Sequence, residues 1–283
     1  MQFLIGFGLF VIALSGGFFD GGLVVTALAG QPHDGGLGLQ PSAAPVMDDL
    51  VAFHTFLLWI ITIIVVFVTA LLAIVVVRFN RKANPTPSRT THNTLLEVAW
   101  TVIPVMILVV IAIPSFRLLY KQVVIPEAEL TVKAVGYQWY WGYEYPDHGD
   151  ISIISNMIPD DQLQPGQPRL LAADYDMVVP VDTTVRVIVT AADVIHAFAV
   201  PSFGVKIDAI PGRLNETWFR ADRTGMFYGQ CSELCGTRHA FMPISVKVVT
   251  KEEFEEWVAQ EQQAALGGNE NLKLAAAPAA EAR

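Results

Sequence analysis

Two thiols, an imidazole and a thioether fall within the stretch Gly229-Gln-Cys231-Ser-Glu233-Leu-Cys235-Gly-Thr-Arg-His239-Ala-Phe-Met242, and a further imidazole, His196, stands upstream in Asp193-Val-Ile-His196. Cys231 and Cys235 are the only cysteines of the chain. Soft sulfur donors combined with imidazoles select copper, or zinc where four ligands close a tetrahedron. A mononuclear blue-copper site asks for two histidines, one thiolate and a weak axial methionine, a set that His196, Cys235, His239 and Met242 supply. Cys231 is then one thiolate too many. Two coppers sharing the site would use it: both thiolates bridge, each metal takes one histidine, and a single electron spreads over the pair. Three other readings compete. A disulfide in an exported domain leaves the His and Met spacing idle, a zinc site of two Cys and two His leaves Met242 without a role, and a mononuclear copper site leaves Cys231 without one.

Such ligands need a rigid support. Short runs rich in β-branched and aromatic residues, from Leu130-Thr-Val-Lys-Ala-Val135 to Ile244-Ser-Val-Lys-Val-Val249, are broken by Pro146-Asp147, Pro165-Gly166, Pro211-Gly212 and Thr224-Gly225. That rhythm predicts a β-sandwich or Greek-key barrel over residues 122–250. The aromatic run Tyr137-Gln-Trp139-Tyr140-Trp141-Gly-Tyr143 reads, on spacing alone, as cross-strand packing. Beyond the barrel, Phe254 and Trp257 share one face of a helix predicted for 251–265, and the Ala/Glu-rich stretch 266–283 predicts a weakly ordered tail.

The mean hydropathy of +0.44 is high for a water-soluble chain, and the apolar residues concentrate in the first 120 positions. Residues 1–30 read as a signal peptide cleaved near Ala29 or Gly30, although no Lys or Arg precedes the apolar run; an uncleaved anchor is the alternative. A Gly/Pro/Ser-rich lead, 31–50, follows. From Val51 to Val77 no side chain is ionised, a run longer than the roughly 20 residues a bilayer requires. Thr94 and Glu97 form a capping-box pattern that opens a second span, which tolerates Pro104 and Pro114 inside it. Residues 51–121 thus predict a transmembrane hairpin with helices at 51–78 and 94–120. Its connecting loop carries Arg78, Arg81, Lys82 and Arg89 and no acid, so it faces the cytoplasm and both ends face outward.

Fifteen Asp and Glu stand against nine Lys and Arg between residues 122 and 250, with no base between Ala134 and Asp150. An acidic face steers a basic protein partner and repels nucleic acid. Asp160, Asp161, Asp176 and Asp182 read as solubilising acids. No phosphate loop, catalytic triad or haem-attachment Cys-x-x-Cys-His is present.

The pattern Cys-x-Glu-x-Cys-x3-His-x2-Met with an upstream His resembles the binuclear CuA centre of subunit II of haem-copper cytochrome c oxidases. The likeness extends through Gly136-Tyr-Gln-Trp139-Tyr-Trp, Asp208-Ala-Ile-Pro-Gly-Arg213 and the helical pair, over roughly residues 45 to 260. It implies a two-helix transmembrane hairpin followed by an all-β cupredoxin-like Greek-key barrel. It also implies two copper ions held by His196, Cys231, the carbonyl of Glu233, Cys235, His239 and Met242, and a magnesium or manganese ion that the Glu233 carboxylate shares with subunit I. Trp139 would receive electrons from cytochrome c docked on Glu144, Asp147, Asp150, Asp174 and Asp193, with Tyr140, Trp141 and Tyr143 as packing. Glu97 would guard the mouth of a proton pathway. The haems would lie only in the partner, subunit I, where oxygen is reduced to water with proton pumping; subunit III is a further partner. The implied location is the inner (plasma) membrane of a bacterium, multi-pass, with the copper domain in the periplasm. Rival assignments are a membrane-tethered mononuclear copper shuttle, a quinol-oxidase subunit, which lacks the copper ligands, and a copper-delivery protein.

Overall fold

The structure, a computed structural model, describes residues 30–149 and 151–266. Residues 1–29 of the predicted signal peptide, Asp150 and the tail past 266 lie outside the described residues. The chain divides into two units, a helical pair spanning Asp49–Val123 and a β domain that takes in the segment before Asp49.

Helix α1 runs Pro45–Arg78 and α2 runs Thr94–Val123. α1 starts at Pro45 rather than Val51, because proline is preorganised for a first helical turn and Asp48 meets the positive end of the helix dipole there. The N-cap of α2 is Asn93 rather than Thr94: its Oδ1 accepts from the Leu96 N–H at 3.2 Å. At about 1.5 Å per residue the two helices measure about 51 and 45 Å, enough to cross a hydrocarbon layer of roughly 30 Å. Ile63, Phe67, Leu72, Leu108 and Ile113 stand exposed on them, a surface that water disfavours and a bilayer accepts. Hydroxyls within the apolar stretches are satisfied locally, Thr55 donating to the Val51 carbonyl and Thr101 to that of Glu97. Asn80 closes α1 by donating to the carbonyls of Val76 and Val77. Lys121 pairs with Asp49 at the other end of the hairpin.

Among the described residues the β domain holds ten strands: β1 Leu130–Tyr137, β2 Tyr140–Tyr145, β3 Ile151–Ser155, β4 Met177–Pro180, β5 Val185–Ala191, β6 His196–Val200, β7 Val205–Ala209, β8 Asn215–Phe219, β9 Gly225–Gln230 and β10 Pro243–Val249. They form a sheet ordered β3-β2-β1-β5-β8, a second ordered β4-β10-β9, and the hairpin β6-β7. β1 pairs parallel with β5, and β4 parallel with β10, while the remaining pairs are antiparallel. Crossovers of this kind make a cupredoxin-like Greek-key barrel whose hydrogen bonding is open between the sheets. Alternation decides which side chains fill it: in β5, Val185, Val187, Val189 and Ala191 point inward and Arg186, Ile188 and Thr190 outward. β6 is buried along its whole length. Phe203 stacks on Phe219 at 4.5 Å and tilts against Phe227 at 4.8 Å in the core.

Two additions bind to this barrel. Residues 30–44 lie along it, with the Tyr228 N–H donating to the Gly30 carbonyl at 2.7 Å and the Ala43 N–H to that of Ser202 at 2.9 Å. Helix α3, Lys251–Leu266, opens with a reciprocal capping box between Thr250 and Glu253. It seats Trp257 on Tyr145, with ring centroids 5.0 Å apart.

Candidate metal centre

His196 is the first residue of β6 and is fully buried. Its ring lies edge-on to Trp141 at 6.1 Å, and Trp141 in turn meets Phe198 at 5.6 Å. Room for the imidazole comes from Gly136 on β1, where a Cβ would lie 2.8 Å from His196 Cδ2. Asp193, in the turn between β5 and β6, holds His196 Nε2 at 2.9 Å and accepts the Gln138 N–H at 2.7 Å. With Nε2 donating to the carboxylate, the Nδ1 lone pair is left to accept from a donor or to bind a metal. Burial alone would push the His196 pKa down, but its hydrogen bonds to Cys231 and Asp193 outweigh that and hold it above the usual value. Burial would raise Asp193 too, yet the bonds from His196, Val194 and Gln138 bring its carboxyl below the ordinary range.

The remaining donors come from the loop between β9 and β10. These strands are paired at Gln230↔Pro243, and the Cys231 N–H donates to the Met242 carbonyl at 3.2 Å, so the loop is pinched at its base. The Ser232 N–H donates to the Ala197 carbonyl at 3.1 Å and ties the loop to β6. Gly229 allows β9 this close to β6: a Cβ there would fall 1.8 Å from the Ala199 carbonyl oxygen. A short 3-10 turn, His239–Phe241, brings His239 back over the thiols.

Cys231 Sγ and Cys235 Sγ lie 3.7 Å apart, well beyond the roughly 2.05 Å of a disulfide. Each thiol has an imidazole beside it, His196 Nδ1 at 3.8 Å from Cys231 Sγ and His239 Nδ1 at 3.5 Å from Cys235 Sγ. Met242 Sδ is 3.5 Å from Cys235 Sγ, and the Glu233 carbonyl oxygen is 3.3 Å from Cys231 Sγ. His196, Cys231 and Cys235 offer ligand atoms within 4.8 Å of one another, all buried. The 3.7 Å separation of the sulfurs would let both serve one metal. This donor set therefore fits soft-metal binding at both ends of the sulfur pair. Burial opposes ionisation of Cys231, but its hydrogen bonds, that to His196 foremost, pull the thiol below its ordinary range. Burial and the neighbouring Cys231 charge push Cys235 up.

Trp139 is half-buried and its Nε1 donates to the Cys235 carbonyl at 3.2 Å; the Gln138 side-chain amide donates to the same oxygen at 2.8 Å. The Gln138–Trp139 peptide is cis. Gly236, at φ +121, lets the indole in, since a Cβ would stand 3.0 Å from Trp139 Cζ2. Trp141 and Tyr143 are fully buried packing residues, and Tyr140 stacks on Tyr137 at 4.6 Å.

The acids named for docking are dispersed among structural partners. Glu144 pairs with Lys133 across β1 and β2 at 3.0 Å, Asp147 accepts the Thr131 N–H at 2.7 Å, and Asp174 accepts from Asn156. The Glu233 side chain is exposed, as is Glu97 in the first turn of α2. Asp176, read as a solubilising acid, is instead mostly buried, and it accepts the Ser245 hydroxyl at 2.5 Å. The links from Asp193 to His196 and from Gln138 to Cys235 were not visible in the sequence, where the partners of the second stand 97 positions apart.

Two family models match: "Cytochrome C oxidase subunit II, periplasmic domain" over residues 130–249 and "Cytochrome C oxidase subunit II, transmembrane domain" over residues 32–118. A probable cytochrome c oxidase subunit 2 of Rickettsia bellii is 57% identical over 239 residues, covering 84% of this chain and 88% of the relative. Cytochrome c oxidase subunit 2 of Cereibacter sphaeroides is 51% identical over 262 residues, covering 86% and 85%. Among solved structures, the periplasmic domain of subunit II of cytochrome oxidase of Bradyrhizobium japonicum is 61% identical, covering 50% of this chain and 98% of that one, with a TM-score of 0.47.

Proposed function

This chain belongs to the cytochrome c oxidase subunit II family, a membrane-anchored subunit of an oxidoreductase, and on that premise we propose that it relays electrons from cytochrome c to a haem of subunit I. The observation that carries the reading is the pair of sulfurs 3.7 Å apart with one imidazole against each. His196, Cys231, Cys235, His239, Met242 and the Glu233 carbonyl would hold two coppers. When bound, such a pair supplies a one-electron carrier whose charge is shared over both metals and both thiolates.

The protein's own groups do the rest. Burial of His196, both thiols and Met242 excludes water, and the pinched loop base limits rearrangement on reduction. The Trp139 indole offers a short route from the surface through the Cys235 backbone to its sulfur. The acidic balance of the β domain, with Glu144, Asp147 and Asp174 among its acids, would draw a basic cytochrome c. The Glu233 side chain is exposed, and its carboxylate would reach a magnesium or manganese ion shared with subunit I. Glu97 would serve the entrance of a proton pathway at the cytoplasmic end of α2. Positive charges at Arg78, Arg81, Lys82 and Arg89 favour a cytoplasmic loop and a β domain in the periplasm of a bacterial inner membrane.

Copper analysis and electron paramagnetic resonance of the purified full-length protein test this. Two coppers sharing one unpaired electron, with hyperfine splitting from two equivalent nuclei, are expected. One copper with single-nucleus splitting would replace the relay with a mononuclear shuttle, and zinc or a disulfide would overturn both.

A further inference from the structure

We propose that Gln138 and Asp193 form a single brace that aligns both halves of the centre on the β1–β2 turn carrying Trp139, an inference that rests on the copper assignment above. The two side chains complete an unbroken chain of hydrogen bonds. His196 Nε2 meets Asp193 Oδ1 at 2.9 Å, Asp193 Oδ2 accepts the Gln138 backbone N–H at 2.7 Å, and the Gln138 amide donates to the Cys235 carbonyl at 2.8 Å. Trp139 Nε1 joins at that carbonyl, 3.2 Å away. One end of the chain thus stands behind the imidazole next to Cys231, and the other behind the backbone of Cys235.

Both oxygens of Asp193 are engaged inside the protein, so its carboxylate is committed to orientation before any partner docks. By accepting from Nε2–H it holds His196 Nδ1 toward Cys231 and strengthens the imidazole as a metal ligand. Gln138 contributes two donors of different kinds. Its backbone N–H aims Asp193, and its side-chain amide fixes the direction of the Cys235 carbonyl, hence of the loop that carries Sγ. The next residue is Trp139. A shift in the brace would therefore move a copper ligand and the electron port together. Gly236 makes the approach possible, because a Cβ there would lie 3.1 Å from Gln138 Nε2. Asp193 and Gln138 are positioning residues: neither touches the metal in this arrangement.

The test uses the purified oxidase with Asp193→Asn and, separately, Gln138→Ala. Asparagine keeps the shape but offers an amide N–H where a second acceptor is needed. Two coppers should still load, with release to a chelator roughly 10–100-fold faster, in line with the loss of an outer partner of a ligand. The hyperfine pattern and the midpoint potential should both shift, and Gln138→Ala should shift them although the Asp193 charge is intact. An unchanged spectrum, potential and copper retention, with only a weaker, salt-sensitive reaction with cytochrome c, would make Asp193 a docking acid and overturn the brace. Should Asp193→Asn fail to assemble, Gln138→Ala decides alone by the same outcomes. Absence of a copper pair from the unmutated oxidase would instead remove the underlying assignment, and the brace with it.

Discussion

His196 and His239 reach the same pair of sulfurs from opposite kinds of scaffold. His196 sits fully buried at the head of a strand, boxed by Trp141, a glycine hole at Gly136 and the Asp193 carboxylate. His239 sits half-buried on a 3-10 turn of the ligand loop itself, with its Nδ1 3.5 Å from Cys235 Sγ. The strand side gets its precision from long-range packing, while the loop side gets it from a short pinched backbone. Damage to the strand side should therefore reach the whole domain, whereas damage to the loop side should stay within the metal site.

Breaking the strand side gives the largest effect. In Gly229→Ala the added methyl would meet the Ala199 carbonyl oxygen at 1.8 Å, backbone against backbone, with no flexible neighbour to yield. A loss of about 3 kcal/mol or more is expected, seen as a large fall in the thermal midpoint of the full chain; an unchanged midpoint would remove this contact from the argument. Trp139→Ala comes next, on the outer edge of the loop. It should leave copper in place yet slow reduction by cytochrome c roughly 100-fold, the order of loss that follows when a donor is misplaced; stopped-flow traces as fast as the parent's would reject the indole as the port.

Met242→Leu probes the loop side from within. The side chain is 1% exposed, so a volume-conserving swap should cost less than about 1.5 kcal/mol while the potential and spectrum change through loss of the weak sulfur donor. An unaltered spectrum would count against ligation. Smallest of all is Asp176→Asn, a control away from the centre. Burial raises the Asp176 pKa despite the Ser245 hydrogen bond, so its proton is held more tightly folded than unfolded. That contribution is complete below the unfolded carboxylate pKa and is lost as pH rises through the folded value. The asparagine variant should thus be slightly the more stable at pH 7 and lose its advantage in acid; paired melts at pH 4 and pH 7 that move in parallel would refute this sign.

The same contrast explains what could be read from the chain alone. The loop donors lie within twelve positions and carry rare chemistry, so their types and spacing speak for themselves. The barrel announced itself by alternation, as in β5, and the helices by unbroken apolar runs. Long-range partnerships left no such trace. Asp193 reads as one surface acid among many until folding places Gln138, 55 positions away, against it. Asp176 looked like a solubilising acid because the hydroxyl that receives it, Ser245, is 69 positions distant. At the start of α2, two adjacent capping candidates, Asn93 and Thr94, compete, and the side chain with the better reach to the Leu96 N–H prevails.

The ladder between β9 and β10 registers Gln230 opposite Pro243, immediately outside the ligand stretch. Five of the six groups proposed to hold copper therefore sit on a hairpin tip whose two ends are already fastened by the sheet. The entropy of closing that tip is met by the strands, not by the metal. The tip is, in effect, a replaceable cassette. On the copper assignment proposed above, changes in its length or in its thiols would alter how many metals are bound while leaving the barrel intact.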